Sequence, residues 1–90
     1  MKSLLIVGAG GYGQLVKDIA EVCGYERIDF VDDKYPNAVG KNADLDIIQD
    51  RYDGCVVTIG NPDVREQVFS RLKKPITIIH PSASISHTAI

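Results

Sequence analysis

The chain predicts an α/β fold, a small parallel sheet with flanking helices, and three observations carry that expectation. Strand-length segments rich in apolar residues recur at residues 4–7, 27–32, 55–59 and 76–79. Two segments between them, 13–23 and 62–72, space their apolar residues as amphipathic helices do. A glycine-rich turn, Gly8-Ala9-Gly10-Gly11-Tyr12-Gly13, joins the first block to the first helical segment. Strands alternating with helices imply βαβ crossovers, nearly always right-handed, and so a Rossmann-like sheet with helices on both faces.

Each element has its own local reason. Leu4-Leu5-Ile6-Val7 is a continuous aliphatic run that stops at Gly8, as expected of a strand buried on both faces. In the first helix Leu15, Val16, Ile19, Ala20 and Cys23 form the apolar stripe, with Gln14, Lys17, Asp18 and Glu21 between them and Gly24 as the stop. The second strand, Arg27 to Asp32, is built around Ile28, Phe30 and Val31 and ends in Asp32-Asp33 before a turn at Lys34-Tyr35-Pro36-Asn37. Residues 34–53 are polar and weakly patterned. Within them Leu45, Ile47 and Ile48 predict a brief helix or strand. Cys55 to Ile59 is the third strand, closed by Gly60-Asn61, and Pro62 then opens a helix carrying Val64, Val68, Phe69 and Leu72. Lys73-Lys74-Pro75 ends that helix, and Ile76 to Ile79 supplies a fourth strand.

Composition narrows the function. Ninety residues fit one domain with a small core and modest stability, to which a partner domain would add. With 44% hydrophobic and 24% charged residues the chain reads as an ordinary soluble one. The net charge of −2, with the basic residues scattered, argues against nucleic acid, and no stretch suggests a membrane span or a signal peptide. A cytoplasmic location is expected. Cys23 and Cys55, in apolar surroundings and outside any metal-ligand spacing, read as reduced core thiols, and no metal site is predicted.

The chemistry concentrates in the glycine turn. A G-x-G-x-x-G between a strand and a helix has one glycine for the turn, a second for close approach of backbone to a phosphate, and a third for helix–strand packing. The free N–H groups of the helix start then face the anion. Glycines serving turn geometry alone are the competing reading. Gly8, Gly10, Gly11 and Gly13 are the candidate phosphate cradle, and Tyr12 could cover the ligand with its ring and donate its hydroxyl. Asp32, the stronger candidate, and Asp33 lie about twenty residues on, at a strand end, where a carboxylate accepts from a ribose or base; a solvated acidic turn is the alternative. Gly60 and Asn61 fall on the same sheet edge, with Asn61 equally suited to cap the following helix. Arg65, one turn into that helix, either aims its fork at a phosphate or carboxylate or is simply solvated. His80 and His87 match no triad or metal spacing and receive no catalytic role.

The last residues change rhythm. Ile79-His80-Pro81-Ser82-Ala83-Ser84 and Ile85-Ser86-His87-Thr88-Ala89-Ile90 superpose as two six-residue units with Ile79 over Ile85 and Ala83 over Ala89. That is the pattern of a hexapeptide β-helix, which needs about three repeats to bury a core, so the expectation is a fragment whose continuation is missing. The division expected is a Rossmann-like nucleotide-binding domain over 1–79 and the opening segment of an incomplete hexapeptide-repeat β-helix over 80–90.

Together, the strand running into Gly8–Gly13, the Phe30-Val31-Asp32-Asp33 strand end, Thr58-Ile59-Gly60-Asn61 with Arg65, and Ile79–Ile85 resemble the N-terminal domain of the NeuD and PglD type sugar acetyltransferases of bacteria. The resemblance spans residues 3–90. It implies a small domain that binds a nucleotide-linked sugar, a UDP-sugar by expectation, joined to a left-handed β-helix that binds acetyl-CoA and builds a homotrimer. It also implies that the catalytic base, a His drawing the proton from the acceptor amine or hydroxyl, lies beyond residue 90. The ninety residues, monomeric by expectation, should then bind the nucleotide sugar but neither acetyl-CoA nor catalyse. One departure is visible: relatives often carry Ser-Gly-His where this chain has Gly10-Gly11-Tyr12. An NAD(P)-binding domain of an oxidoreductase is the alternative, against which stands the small number of strands.

Overall fold

Residues 2–76 are described by a computed structural model of the chain. The aliphatic run at the start forms strand β1, Ser3–Val7, with every residue buried. It occupies the centre of a parallel sheet in the order β2-β1-β3, between β2, Arg27–Val31, and β3, Gly54–Val57. The register sets Ile6 against Phe30 on one side and Val56 on the other, and Leu5 against Asp29 and Cys55. Being central is what demands apolar side chains on both pleats of β1.

The pleat divides the core in two. Leu4 and Ile6, with Phe30 and Val56, meet Val16 and Ala20 of helix α1, Gly11–Val22. Leu5 and Val7, with Val31, Cys55 and Val57, meet Leu45 and Ile48 of the short helix α2, Leu45–Ile48, together with Tyr52, and Val68 of helix α3, Pro62–Ser70. Helices therefore cover both faces, as the crossover pattern requires. Helix α1 leads to one side of β1 and α2 to the other, so the chain reverses direction across the sheet at β1 and β3. That reversal is the topological switch point where open α/β sheets hold ligands, beyond the carboxyl ends of the strands.

Several expectations are refined. Helix α1 starts at Gly11, two residues earlier than the apolar stripe suggested, because the end of the glycine turn is already its first turn. Its inward line is narrower than predicted: Val16 and Ala20 are buried, whereas Leu15 is 51% exposed and Cys23 half-buried. The helix stops in a Schellman motif, with Gly24 at φ +95° donating to Glu21 O and Tyr25 donating to Ala20 O, each at 3.1 Å. The weakly patterned stretch resolves into α2 flanked by 3₁₀ turns at Asn42–Asp44 and Gln49–Arg51. Gln49, buried, explains why this stretch holds its place: its amide donates to Arg71 O at 2.9 Å and accepts from Lys73 N at 2.8 Å, tying α2 to the end of α3.

Of the fourth strand only the approach is described. Cys55 N donates to Lys74 O at 2.9 Å and Ile76 N to Cys55 O at 3.0 Å, a parallel bridge on the outer edge of β3. Residues 77–79, the two six-residue units, His80 and His87 lie outside the described residues, as does the division at 79/80. Among the described residues no helix is long and apolar enough to cross a membrane, and no group of three or more His, Cys, Asp or Glu is placed to hold a metal.

Candidate functional site at the sheet edge

The parallel sheet brings the carboxyl ends of β1, β2 and β3 to one edge, and with them the glycine turn, Asp32-Asp33 and Gly60-Asn61. The turn is clamped at Gly8. Its N–H donates to Val31 O at 2.9 Å, and its carbonyl accepts from Thr58 Oγ1 at 2.8 Å. At φ +113° Gly8 occupies a backbone region that side chains avoid, and a Cβ there would lie 2.8 Å from Thr58 Oγ1. Gly13 answers to packing: its Cβ would stand 1.9 Å from Gly8 O. These two glycines are required by the fold itself. Gly10 and Gly11 are not, since a Cβ on either would meet nothing within 4 Å.

That division separates the two readings of the glycine turn. Turn geometry accounts for Gly8 and Gly13, while Gly10 and Gly11 line open space at the start of α1. The helix carries no side-chain cap at Gly10, and the first backbone bond of the helix start is Gln14 N to Gly10 O. The N–H groups of Gly10, Gly11, Tyr12 and Gly13 consequently have no acceptor among the described residues. Such orphan donors are normally met by a side chain, water or ligand, and with the helix dipole they favour an anion. Helix α3 offers the contrast, for Asn61 Oδ1 accepts from Asp63 N at 3.0 Å and Val64 N at 3.2 Å. Asn61 thus takes the capping role, while its side-chain nitrogen has no partner among the described residues.

The other candidates separate by what they already hold. Asp32 accepts from Ala9 N at 2.9 Å on one carboxylate oxygen, and from Lys34 N at 2.8 Å and Tyr35 N at 3.0 Å on the other. The Ala9 N–H first, then those of Lys34 and Tyr35, hold its carboxyl below the ordinary value. Asp33 is exposed and accepts from Asn42 N at 2.9 Å on one oxygen. Tyr12 is 49% exposed beside the open space, Gly60 is exposed, and Arg65 projects from α3 with no side-chain partner among the described residues. Contacts join the glycine turn to Asp32 and to Thr58; the contacts of Asn61 and Arg65 are confined to α3.

Sequence reasoning passed over Thr58 and Ala9. Thr58 Oγ1 touches both Val7 O and Gly8 O, joining β3 to the glycine turn. A buried Thr directly after an aliphatic strand was the signal available for it. Ala9 carried none, because its contribution is a backbone N–H.

Fold and edge define the class: a three-layer α/β domain whose first helix starts without a side-chain cap at the switch point of its sheet. The chain belongs to the PglD N-terminal domain family, whose profile matches residues 3–72. It is similar to the UDP-N-acetylbacillosamine N-acetyltransferase of Bacillus subtilis (strain 168), 31% identical over 110 aligned positions that take in all of this chain and 48% of that protein. Among solved structures it resembles the acetyltransferase domain of PglB from Neisseria gonorrhoeae FA1090. One structure of that domain superposes with a TM-score of 0.77 at 28% identity over 90% of this chain and 45% of the other. A second, in complex with acetyl coenzyme A, gives 0.68 at 28% identity over 77% and 37%. The chain spans about half the length of the proteins it matches.

Proposed function

We propose that this chain is the nucleotide-sugar-binding domain of an acetyl-CoA-dependent sugar acetyltransferase, taking the diphosphate of a UDP-sugar at the start of α1. One observation carries the reading: the N–H groups of Gly10 to Gly13 have no acceptor among the described residues, and Gly10 and Gly11 border space that neither needs for folding. A diphosphate supplies the acceptors that this helix start lacks. The B. subtilis relative is named for a UDP-linked amino sugar, which supports the same ligand class. Tyr12 and Arg65 would flank the ligand, and Asp33 retains one carboxylate oxygen for it. In this reading acetyl-CoA, bound in one of the similar structures, is held by a part of the longer protein outside these residues. There the acceptor nitrogen or oxygen of the sugar attacks the thioester, loses its proton to a base and releases the CoA thiol.

The NAD(P) alternative fits the site poorly. A dinucleotide site uses the β2 carboxylate for the ribose diol, and both oxygens of Asp32 already serve backbone donors. Thermal unfolding with UDP-N-acetylglucosamine, NADH and acetyl-CoA in parallel tests the assignment, because a ligand of the native state raises the melting temperature. UDP-N-acetylglucosamine alone should do so; a rise with NADH and none with the UDP-sugar would reverse the reading.

A further inference from the structure

The glycine turn is held in stages. Gly8 is fixed from both neighbouring strands, through Val31 O and Thr58 Oγ1. From Gly11 onward the backbone is helix. Between those points the one N–H with a partner among the described residues is that of Ala9, and its partner is Asp32 Oδ2. The other oxygen of the same carboxylate takes Lys34 N and Tyr35 N, in the turn that leaves β2. That turn is anchored in its own right, since the Tyr35 ring packs edge-on against Phe30 with centroids 5.4 Å apart. All three partners are donors, so only a group accepting at both ends fits. Two glycines, Gly10 and Gly11, follow directly, and neither has a side chain to hold it.

We propose that Asp32 is a positioning residue: its carboxylate braces Ala9 against the turn after β2 and so fixes the backbone whose N–H groups receive the ligand's diphosphate. This rests on the nucleotide-sugar reading and goes beyond it. It moves Asp32 from the ribose or base, where strand-end position alone would put it, to the loop beneath the phosphates. Asp32→Asn is the informative change. An asparagine keeps the shape but turns an NH₂ toward either Ala9 N–H or the Lys34 and Tyr35 N–H pair, setting donor against donor.

The test is calorimetric titration of the chain and of Asp32→Asn with two probes, UDP and inorganic pyrophosphate. A brace predicts that both probes weaken by the same factor, about tenfold or more. Weakening of UDP with pyrophosphate unchanged would mean that the carboxylate contacts ribose or base and would overturn the proposal, as would no change for either. Amide hydrogen exchange of the unmodified chain adds a reading that needs neither the variant nor a ligand. Ala9 N–H should be protected against exchange while Gly10 and Gly11 exchange freely, and rapid exchange at Ala9 would refute the brace. If the unmodified chain bound neither probe, the nucleotide-sugar reading would fall while exchange at Ala9 still decided whether the brace exists.

Discussion

Gly13 and Gly11 stand two residues apart in the same turn, yet the structure assigns them opposite consequences. In Gly13→Ala the new Cβ would sit 1.9 Å from Gly8 O, 3.0 Å from Gly8 C and 3.1 Å from Thr58 Oγ1. The obstacle is backbone clamped to β2 and β3, so α1 must draw back from β1 and loosen Val16 and Ala20 against Leu4 and Ile6. Overpacking of this kind costs about 3 kcal/mol, the upper end of its usual range. In a domain this small that lowers the melting temperature by roughly 12–24 °C. In Gly11→Val the new Cβ meets no atom within 4 Å, and valine is a slightly better helix former than glycine, by about 0.3 kcal/mol. Its melting temperature should therefore stay within about 3 °C of the parent's, while the rise produced by a UDP-sugar disappears because the isopropyl group fills the phosphate's space. Thermal denaturation followed by far-UV circular dichroism, with and without UDP-N-acetylglucosamine, reads both effects. Equal destabilisation by the two substitutions would refute the division of the turn into packing and binding glycines, and undiminished ligand stabilisation in Gly11→Val would refute the placement of the diphosphate.

Three further outcomes are expected. Asn61→Ala removes the acceptor for Asp63 N and Val64 N at the start of α3 and should cost about 1 kcal/mol in urea denaturation. Tyr52→Phe deletes the hydroxyl that donates to the Asp29 carboxylate, which Arg27 continues to hold at 3.0 Å, and should cost about 1–2 kcal/mol; in the unmodified chain burial, then Asp29, pushes Tyr52 up to about 12, so one tyrosine should resist ionisation in an ultraviolet pH titration until that range. The Asp32 carboxyl lies below its ordinary 3.8 in the folded chain, so between the two values the unfolded state binds more protons. Its contribution to stability is complete above 3.8 and is lost as pH falls through the native value, and urea midpoints measured from about pH 5 downward should fall less steeply in Asp32→Asn.

Most of the frame was legible because it depends on side-chain pattern. The uninterrupted Leu4–Val7 run announces a buried strand, Pro62 announces the start of a helix, and Gly24 announces the end of α1. What escaped depends on the backbone or on long-range packing. Helix α2 is four residues long and continues into 3₁₀ turns, so no period could emerge from Leu45, Ile47 and Ile48; Ile47 in fact faces solvent. Leu15 belongs to the apolar stripe by spacing, yet Gly13 brings α1 onto the sheet along Val16 and Ala20 and leaves it half-exposed. Within the candidate site the glycine turn was readable from its composition and setting. The commitment of Asp32 to Ala9 was not, because a carboxylate at a strand end looks the same in sequence whether it faces a ribose or a backbone N–H. The separate reasons for the four glycines, two for packing and two for open space, likewise lie in backbone contacts that no residue pattern records.

The most direct test of the central claim is a ¹⁵N–¹H correlation spectrum of the chain titrated with UDP-N-acetylglucosamine. The amides of Gly10, Gly11, Tyr12 and Gly13 should shift together and saturably, as their N–H groups acquire phosphate acceptors, while those on the amino-terminal edge of the sheet, such as Ser3 and Asp53, stay in place. Saturable binding that leaves those four amides unmoved, or no binding at all, would contradict the claim that this helix start holds the diphosphate of a nucleotide sugar.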